Sequence, residues 1–373
     1  MTVDVAVIGA GLIGVYTAWR LADAGAAVVV LEQGIAGDGS TGRSAGGLRS
    51  QFASSYEIAL SRASRTFYHE FDRDPDFPGG IDRTGYLFLA SPAQLPLLEQ
   101  VYRTQRSHGV DVEWLEPDEL AGVVPYCDLA HVEAGTYTRD DGFIDPWAVH
   151  QWLLHHARAA GVEVLQHTPA QSLRRSGAGW LVNTLSARQL VLAAGAWTGE
   201  VASRAGIDLP ITPSPRVKVL TDRHPQLPRD MPLVTDLETG AYVRSEHGHA
   251  LVGAKPRRTP VGFEFDTGMG HLAEIIERAA AVFPTLAVAG IVRAVCGLYE
   301  LTPDNLPLAG PIRTHPGLWV IAGFNGHGIM HGPAVAEAVT ACMSERAPSI
   351  DIEPLRPDRF GTAAELPRRP SLL

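Results

Sequence analysis

The hydrophobic pattern changes its period twice between residues 3 and 32. Residues 3–8 are an apolar, mostly β-branched run, residues 12–23 carry apolar positions at helical spacing, and residues 27–31 are a second apolar run that ends at Glu32. Short apolar runs bounded by turn residues are typical of buried strands, whereas a period of about 3.6 residues indicates a helix. The pattern therefore predicts strand, turn, helix and strand in that order.

Three glycines occupy the turn between the first strand and the helix. Gly9, Gly11 and Gly14 have the G-x-G-x-x-G spacing. In this motif the first glycine allows a tight turn, the second lets a pyrophosphate approach, and the third lets helix and strand pack closely. The N–H groups at the helix start, which include those of Leu12 and Ile13, are then free to face phosphates. The unit predicts a dinucleotide site.

An acidic residue closes the second strand. Glu32 lies eighteen residues beyond Gly14, where a carboxylate accepts hydrogen bonds from an adenosine ribose and disfavours a 2′-phosphate. NADP is therefore disfavoured, while NAD and FAD both fit this unit. An ordinary glycine-rich turn without a ligand is the structural alternative.

A second strand–glycine–helix pattern lies near the other end of the chain. Residues 318–322 predict a strand, and Gly323, Gly326 and Gly328 lead into a helix that we expect to reach residue 343. A helix N-terminus carries about half a positive charge, which suits the negative charge of a reduced flavin. A glycine- and serine-rich loop at 34–52, and small residues that follow a predicted strand near 194, are also placed to let a cofactor approach the backbone.

In the middle of the chain, segments whose apolar residues have helical spacing alternate with short apolar segments typical of strands. It predicts helices at 55–72, 93–109, 116–123, 145–161 and 271–283, and strands at 86–89, 162–166, 171–174, 180–184, 241–244 and 250–253. Asp145 is expected to cap the fourth of these helices, with Pro146 at its first position. Residues 210–237 indicate an irregular antiparallel region. His150, His155 and His156 lack the spacing of a chelating pair, so we expect a solvated helix face and no metal.

Composition narrows the class of protein further. A chain of 373 residues is long enough for two domains, and 45% hydrophobic with 19% charged residues is ordinary for a globular protein. The net charge of −10 disfavours a nucleic-acid partner. No apolar run approaches a membrane span, and no leader pattern is recognised at the N-terminus. Cys127, Cys296 and Cys342 lack metal or redox spacing, so we expect reduced, buried thiols and a cytoplasmic location.

Three stretches taken together resemble one family of enzymes. They are GAGLIG with Glu32, GSTGRSAGGLRSQF at 39–52, and GLYELTPDNLPLAG with GFNGHGIMHGP at 297–333. This set resembles the FAD-dependent amine and amino-acid oxidoreductases of the D-amino-acid oxidase, glycine oxidase and sarcosine oxidase type, and is closest to the sarcosine oxidase beta-subunit group. The segments DGFIDPWAV and LAAGAW extend the resemblance over nearly the whole chain.

The resemblance implies FAD as cofactor and oxidation of a C–N bond, in which the flavin N5 takes a hydride and the imine product hydrolyses. Arg49 matches an arginine that binds the substrate carboxylate, and a guanidinium suits that task because it binds two oxygens and stays charged when desolvated. Tyr242 and Tyr299 resemble residues that cover the substrate, although a core role is nearly as good an interpretation of either. His327 resembles a residue beside the flavin. A surface or phosphate-binding role is the alternative for Arg49.

The chain also departs from the family pattern. Met330 stands where monomeric sarcosine oxidase has a lysine that helps to hold the carboxylate. Leu251 stands at the position of the lysine that promotes reaction with oxygen, and Lys255, one of two lysines in the chain, is a possible substitute. Gly297 and Arg43 occupy positions at which relatives attach the flavin covalently. We therefore expect non-covalent FAD, and leave oxidase and dehydrogenase activity open.

These observations predict an α/β protein in which a Rossmann-like FAD-binding domain, discontinuous in sequence, is joined to an α+β substrate domain built on a mostly antiparallel sheet. The expected boundaries are 1–82, 148–212 and 300–360 for the first domain, 83–147 and 213–299 for the second, and 361–373 for a tail. A small amine or amino acid is the expected substrate, and the oligomeric state is open. An FAD-binding subunit or assembly factor without turnover of its own is the alternative, and a nicotinamide-dependent dehydrogenase is a third possibility.

The residues expected to contact the cofactor come from both ends of the chain and from the middle. They are Gly9, Gly11, Leu12, Ile13, Gly14, Glu32, Gln33, Ser40, Thr41, Arg43, Ser44, Ala45, Gly46, Gly47, Ala170, Ala194, Gly195, Trp197, Gly323, Asn325, Gly326, His327, Gly328 and Ile329.

Overall fold

The helices and strands are given by a computed structural model, which describes residues 2–77, 79–264 and 268–360; the tail expected at 361–373 lies outside them. The strands are Thr2–Ile8 (β1), Val28–Leu31 (β2), Gly47–Leu48 (β3), Tyr86–Ala90 (β4), Glu113–Leu115 (β5), Ala134–Thr138 (β6), Gly142–Phe143 (β7), Glu163–Leu165 (β8), Leu173–Ser176 (β9), Gly179–Val182 (β10), Leu185–Leu192 (β11), Thr212–Arg223 (β12), Leu233–Asp236 (β13), Ala241–Glu246 (β14), His249–Ala254 (β15), Ile291–Leu301 (β16), Leu308–Pro311 (β17) and Leu318–Ala322 (β18).

The α-helices are Leu12–Asp23 (α1), Ser55–Arg73 (α2), Leu95–Ser107 (α3), Pro117–Val123 (α4), Pro146–Ala159 (α5), Thr198–Ser203 (α6), Met269–Ala280 (α7) and Gly328–Met343 (α8). Short 3₁₀ turns cover Gly195–Trp197, Pro284–Val288, Glu353–Leu355 and Pro357–Arg359.

One sheet gathers both ends of the chain. Its strands have the order β17-β18-β11-β1-β2-β8, with β9 and β10 attached through β11, and the contacts of β1 with β2 and β11 are parallel. Strand β2, the next strand along the chain, lies on one side of β1, and β11, from the middle of the chain, lies on the other side. In open α/β sheets a ligand binds outside the carboxyl ends of the strands where the order reverses in this way. The end of β1 is therefore the expected ligand position.

The helices that cover this sheet begin at the residues predicted from their local sequence. The side chain of Asp145 accepts a hydrogen bond from the Trp147 N–H at 2.8 Å, and Pro146 opens α5. Ser54 caps α2 in the same way. An apolar core, to which α1, α2, α5 and α8 contribute, is fully buried against β1, β2 and β18. Removing this apolar surface from water is the main stabilising contribution to the layer.

The second sheet is mostly antiparallel, as predicted. Its order is β16-β12-β15-β14-β13-β4-β6-β5, and only the β13–β4 contact among its strands is parallel. Helix α7 packs on one face through Leu272, Ile275 and Ala279. The other face carries aromatic side chains, among them Tyr86, Phe88 and Tyr242. The fold class inferred from the sequence is confirmed.

Two local expectations need correction. The region 210–237, expected to be irregular and antiparallel, pairs antiparallel as expected, but it contains the twelve-residue strand β12, whose length is set by its pairing with β16 and β15. His150, expected on a solvated helix face, is fully buried, and its Nε2 lies 2.8 Å from the Ala10 carbonyl oxygen. The loop at 34–42 covers this histidine, since a Cβ at Gly37 would come within 2.6 Å of its ring.

Candidate functional site

A cavity of about 760 Å³ lies between the two sheets and reaches the carboxyl end of β1. Of the residues expected at the cofactor or substrate, all line it except three glycines, Gly14, Gly46 and Gly323. Pockets of this size typically hold organic ligands, with a few polar groups fixing their orientation. The structure therefore brings the motifs of both chain ends and of the middle to one place.

The glycine turn at the end of β1 is built by close backbone contacts. Gly9 has φ +105°, and a Cβ on Gly14 would lie 1.9 Å from the Gly9 carbonyl oxygen. Gly14 does not line the cavity because its role is this contact between helix and strand. Gly11 lines the cavity, and the neighbouring Leu12 N–H donates to Thr41 Oγ1 at 3.0 Å. The helix start is thus held at the cavity wall.

Glu32 is oriented by the backbone on either side of it. Its carboxylate accepts from the N–H groups of Ala10 at 2.8 Å and Gly34 at 2.8 Å, and Glu32 lines the cavity beside Gln33. Two charge-assisted hydrogen bonds fix the carboxylate in place. A carboxylate held there can accept further hydrogen bonds from ribose hydroxyl groups.

The loop after β2 is anchored to the second sheet. Ser40 Oγ donates to the Leu298 carbonyl oxygen at 2.7 Å, Arg43 reaches the Cys296 carbonyl oxygen at 3.5 Å, and Lys218 Nζ donates to the Ser44 carbonyl oxygen. These contacts cross from the first sheet to β12 and β16. The glycine- and serine-rich composition therefore belongs to a fixed backbone wall and not to a mobile linker.

Arg49 is a buried cation at the cavity wall. Its side chain is 4% exposed, Nη1 donates to the Gln51 carbonyl oxygen at 2.8 Å, and the guanidinium carbon lies 4.3 Å from the ring centre of Phe52. The rings of Tyr86 and Phe88 lie at 5.8 and 5.4 Å. No carboxylate of the described chain pairs with Arg49, so aromatic faces and neutral groups alone stabilise its charge.

Two histidines beside Arg49 are held neutral. His327 Nε2 lies 3.2 Å from Arg49 Nη2, which requires that the histidine nitrogen accept, since a guanidinium can only donate. Burial and the charge of Arg49 keep the pKa of His327 well below its usual value, and the same causes lower the pKa of His331 to about 3. His327 lines the cavity, whereas His331 packs on Phe52 at 4.5 Å behind it.

The two tyrosines expected over the substrate both line the cavity. The rings of Tyr299 and Tyr242 occupy the space that side chains at Gly326 and Gly253 would need, with ring atoms 2.2 Å from a Cβ built at either glycine. Burial raises the pKa of both phenols, so they are neutral donors near pH 7. Glycine at the facing positions is therefore what lets these rings lie flat against the wall.

Positions where the chain departs from the family pattern are placed as follows. Met330 and Lys255 line the cavity, whereas Leu251 is 5% exposed and is not part of its wall. Gly297 lines it opposite Arg43, whose Cβ would lie 3.3 Å from a Cβ at the glycine. All three cysteines are free and half-buried, less buried than expected, and Cys296 is outside the lining.

Sequence reasoning missed several lining residues, among them Arg216, Lys218 and Glu300. Burial is the main cause that lowers the pKa of Lys218 to about 8, with Arg244 adding to it. Burial also raises the pKa of Glu300 to about 7. The alternation of Arg216 and Lys218 along a run of apolar residues was the available signal, because alternate residues of a strand share one face.

The wall fits FAD on three observations. Gly9 and Gly11 line the cavity with backbone and have no side chain of their own to fill it. The first turn of α8, Gly328 to Met330, lines the cavity with the positive end of a sixteen-residue helix. Glu300 Oε2 is buried without a hydrogen-bond partner among the described residues, as expected of a group that a ligand hydroxyl or N–H satisfies.

The first sheet with its parallel centre and glycine turn, the facing antiparallel sheet and the cavity between them are typical of a flavoprotein oxidoreductase. The sequence pattern of the FAD dependent oxidoreductase family, DAO, matches residues 4–342, and the chain belongs to this family. The family expected from the sequence motifs is therefore confirmed. FAD is the cofactor of this family.

Relatives with several activities are similar to the chain. Human mitochondrial dimethylglycine dehydrogenase is 30% identical over 387 residues, which cover 96% of this chain and 44% of that protein. The crystal structure of L-proline dehydrogenase from P. horikoshii has a TM-score of 0.88 at 27% identity, with 96% and 97% of the two chains covered. Glycine oxidase from Geobacillus kaustophilus has a TM-score of 0.87 at 26% identity, with 96% and 99% covered.

The chain thus spans less than half the length of the human dehydrogenase but nearly all of the two solved structures. Within residues 2–360, apart from the gaps given above, no helix is both long and apolar enough to cross a membrane. No group of histidine, cysteine and acidic side chains in that part of the chain could hold a metal ion.

Proposed function

We propose that this protein oxidises the C–N bond of an amino acid or secondary amine with FAD, which accepts a hydride equivalent from the carbon next to the nitrogen. Gly11, Ile13 and Glu32 would hold the adenosine diphosphate part, and the first turn of α8 would face the isoalloxazine. The main support for this proposal is Arg49, whose guanidinium is buried at the cavity wall without an acidic partner in the described chain. A substrate carboxylate supplies that partner.

The other side chains of the cavity act on position and protonation. Tyr242 and Tyr299 bury apolar surface over a small substrate and present neutral hydroxyl groups to it. His327 accepts from Arg49 and so keeps the guanidinium plane in one orientation. A fixed positive charge close to a substrate amine lowers the pKa of the ammonium, which favours the neutral amine that oxidation requires. The imine product leaves the site and is hydrolysed by water.

Retention of FAD without a covalent bond is part of the proposal. Glycine and arginine at 297 and 43 cannot form the thioether or histidyl bonds that some relatives use, and Cys296 does not line the cavity. Denaturation with acid should therefore leave the yellow colour in the supernatant. Colour in the protein pellet would contradict this part.

An anaerobic titration tests the reaction. Purified protein containing FAD is mixed with a panel of primary and secondary amino acids, N-methylated amines and amines without a carboxylate, and the loss of flavin absorbance is followed. We expect bleaching by at least one carboxylate-bearing amine and none by its deaminated analogue. Peroxide formation against reduction of an artificial dye then separates oxidase from dehydrogenase. A flavin that no amine bleaches would refute the proposed reaction.

A further inference from the structure

Two residues of β12 place positive charge on the cavity wall. In the register of β12 against β16, Arg216 lies opposite Gly297 and Lys218 opposite Val295, so both side chains project from the same face of the sheet. Both line the cavity. Lys218 is used by the protein itself, because its amine donates to the Ser44 carbonyl oxygen.

The guanidinium of Arg216 has donors to spare. Its Nη1 donates to Ser214 Oγ at 2.6 Å and to the Pro215 carbonyl oxygen at 2.9 Å, while Nε and Nη2 donate to no described residue. No carboxylate of the described chain forms an ion pair with it. Burial lowers the pKa of Arg216, yet an arginine stays charged at neutral pH. Besides Arg49, the cavity wall therefore contains a further guanidinium without an anionic partner among the described residues.

Tyr299, which is expected to cover the substrate, lies next to this cation. The carbon of the Arg216 guanidinium is 4.8 Å from the centre of the Tyr299 ring. The charges of Arg216 and Arg49 both act to lower the pKa of this phenol, against the larger effect of burial. Both guanidinium charges therefore act on a ring that lines the cavity.

A substrate whose single carboxylate pairs with Arg49 leaves Arg216 without an anionic partner. Pairing one buried cation while another nearby is left bare is electrostatically unfavourable compared with pairing both. Arginine is also the side chain best suited to bind a planar acid group through two hydrogen bonds. The requirement is met by a ligand that carries a second acidic group beyond its amine and first carboxylate.

We propose that Arg216 is a second anion-binding residue of the substrate site and that the substrate is an amino acid or secondary amine with a second acidic group, a carboxylate or a group of similar charge. This inference rests on the proposed function, since it uses Arg49 as the anchor of the first carboxylate. It makes Arg216 a determinant of substrate specificity.

Matched pairs of ligands test the inference in the unmodified protein that contains FAD. N-methylaspartate is compared with N-methylasparagine, and N-methylglutamate with N-methylglutamine, because each pair differs in one charge and hardly in shape. The dissociation constant is read from the perturbation of the flavin absorption spectrum, and flavin bleaching is recorded separately. We expect at least one acid to bind about tenfold or more tightly than its amide, as for a hydrogen bond between charged groups. Equal affinity within both pairs would overturn the inference.

Arg216→Gln provides the second arm, with Arg103→Gln as its control. Arg103 is 75% exposed on α3 and pairs only with Glu99 among the described residues. We expect R216Q to keep its FAD and to lose the preference for the acid, while R103Q matches the unmodified protein. If R216Q binds the acid and the amide more weakly by the same factor, Arg216 only maintains the structure of the site. Loss of FAD from R216Q would assign it to the cofactor, and either result overturns the inference.

The two proposals fail separately. If a monocarboxylic amine bleaches the flavin and no acid is preferred over its amide, the second anion site is wrong and the reaction stands. If acids bind more tightly through Arg216 but no amine bleaches the flavin, the site stands and the proposed reaction is wrong.

Discussion

Replacing Gly14 by alanine tests whether the first turn of α1 forms the cofactor site. The added Cβ would lie 1.9 Å from the Gly9 carbonyl oxygen, whereas 3.4 Å is the lower end of ordinary contact, so the two must separate by about 1.5 Å. The opposing atom is backbone, which cannot rotate away as a flexible side chain would. The start of α1 must therefore move away from β1.

The displacement has two measurable costs. Overpacking of this size destabilises a protein by about 1–3 kcal/mol. The moved helix start also carries the N–H of Leu12, which is fixed to Thr41 at 3.0 Å, and the free N–H groups that face the cavity. Loss of one or two charge-assisted hydrogen bonds to phosphate would weaken FAD binding by about 10- to 100-fold.

The assay compares Gly14→Ala with Gly122→Ala. Both change a helical glycine to alanine, but a Cβ at Gly122 meets nothing within 4 Å, so this variant should be neutral or gain up to about 1 kcal/mol from helix propensity. FAD affinity is measured by titrating the apoprotein, and stability by urea denaturation with and without FAD. If G14A binds FAD as the unmodified protein does and unfolds at the same urea concentration, the assignment of the glycine turn is refuted.

Three further predictions concern the cavity wall. Arg49→Met should retain FAD but weaken the binding of a carboxylate inhibitor by about 2–5 kcal/mol, because a charged hydrogen-bonding partner of the carboxylate is lost. The affinity is measured from the flavin spectrum, and an unchanged value would contradict the proposed role of Arg49. Asp141→Asn should raise the dissociation constant of the same inhibitor roughly tenfold at constant flavin content. Asp141 accepts from the Ser50 N–H at 2.8 Å and pairs with Arg65 at 3.2 Å, and these contacts hold the segment next to Arg49. An effect on the melting temperature alone would show a purely structural role. Glu300→Gln should flatten the pH dependence of apoprotein stability: the raised pKa of about 7 means that the contribution of Glu300 is full below about pH 4.5 and is lost as the pH rises through 7. Parallel stability curves of the variant and the unmodified apoprotein between pH 4.5 and 7.5 would contradict the buried carboxyl.

The sequence alone predicts the features that depend only on neighbouring residues. The strand–turn–helix–strand unit, the capping of α5 by Asp145 and the last helix at Gly328 follow from steric and hydrogen-bonding demands that a few adjacent residues satisfy. A glycine turn needs absent Cβ atoms, and a helix start needs a partner for its first N–H groups. Such demands are visible in the sequence because the residues that meet them are local.

The tertiary structure alone decided which side chains share the cavity. Arg216 lies there because β12 pairs with β16, eighty residues later in the chain, in a register that no local pattern reveals. His150 is buried because a loop more than a hundred residues away covers it, although its helix pattern is compatible with exposure. Periodicity fixes the direction of a side chain relative to its own helix or strand, whereas burial and charge partners depend on what packs against that face, and this information is non-local.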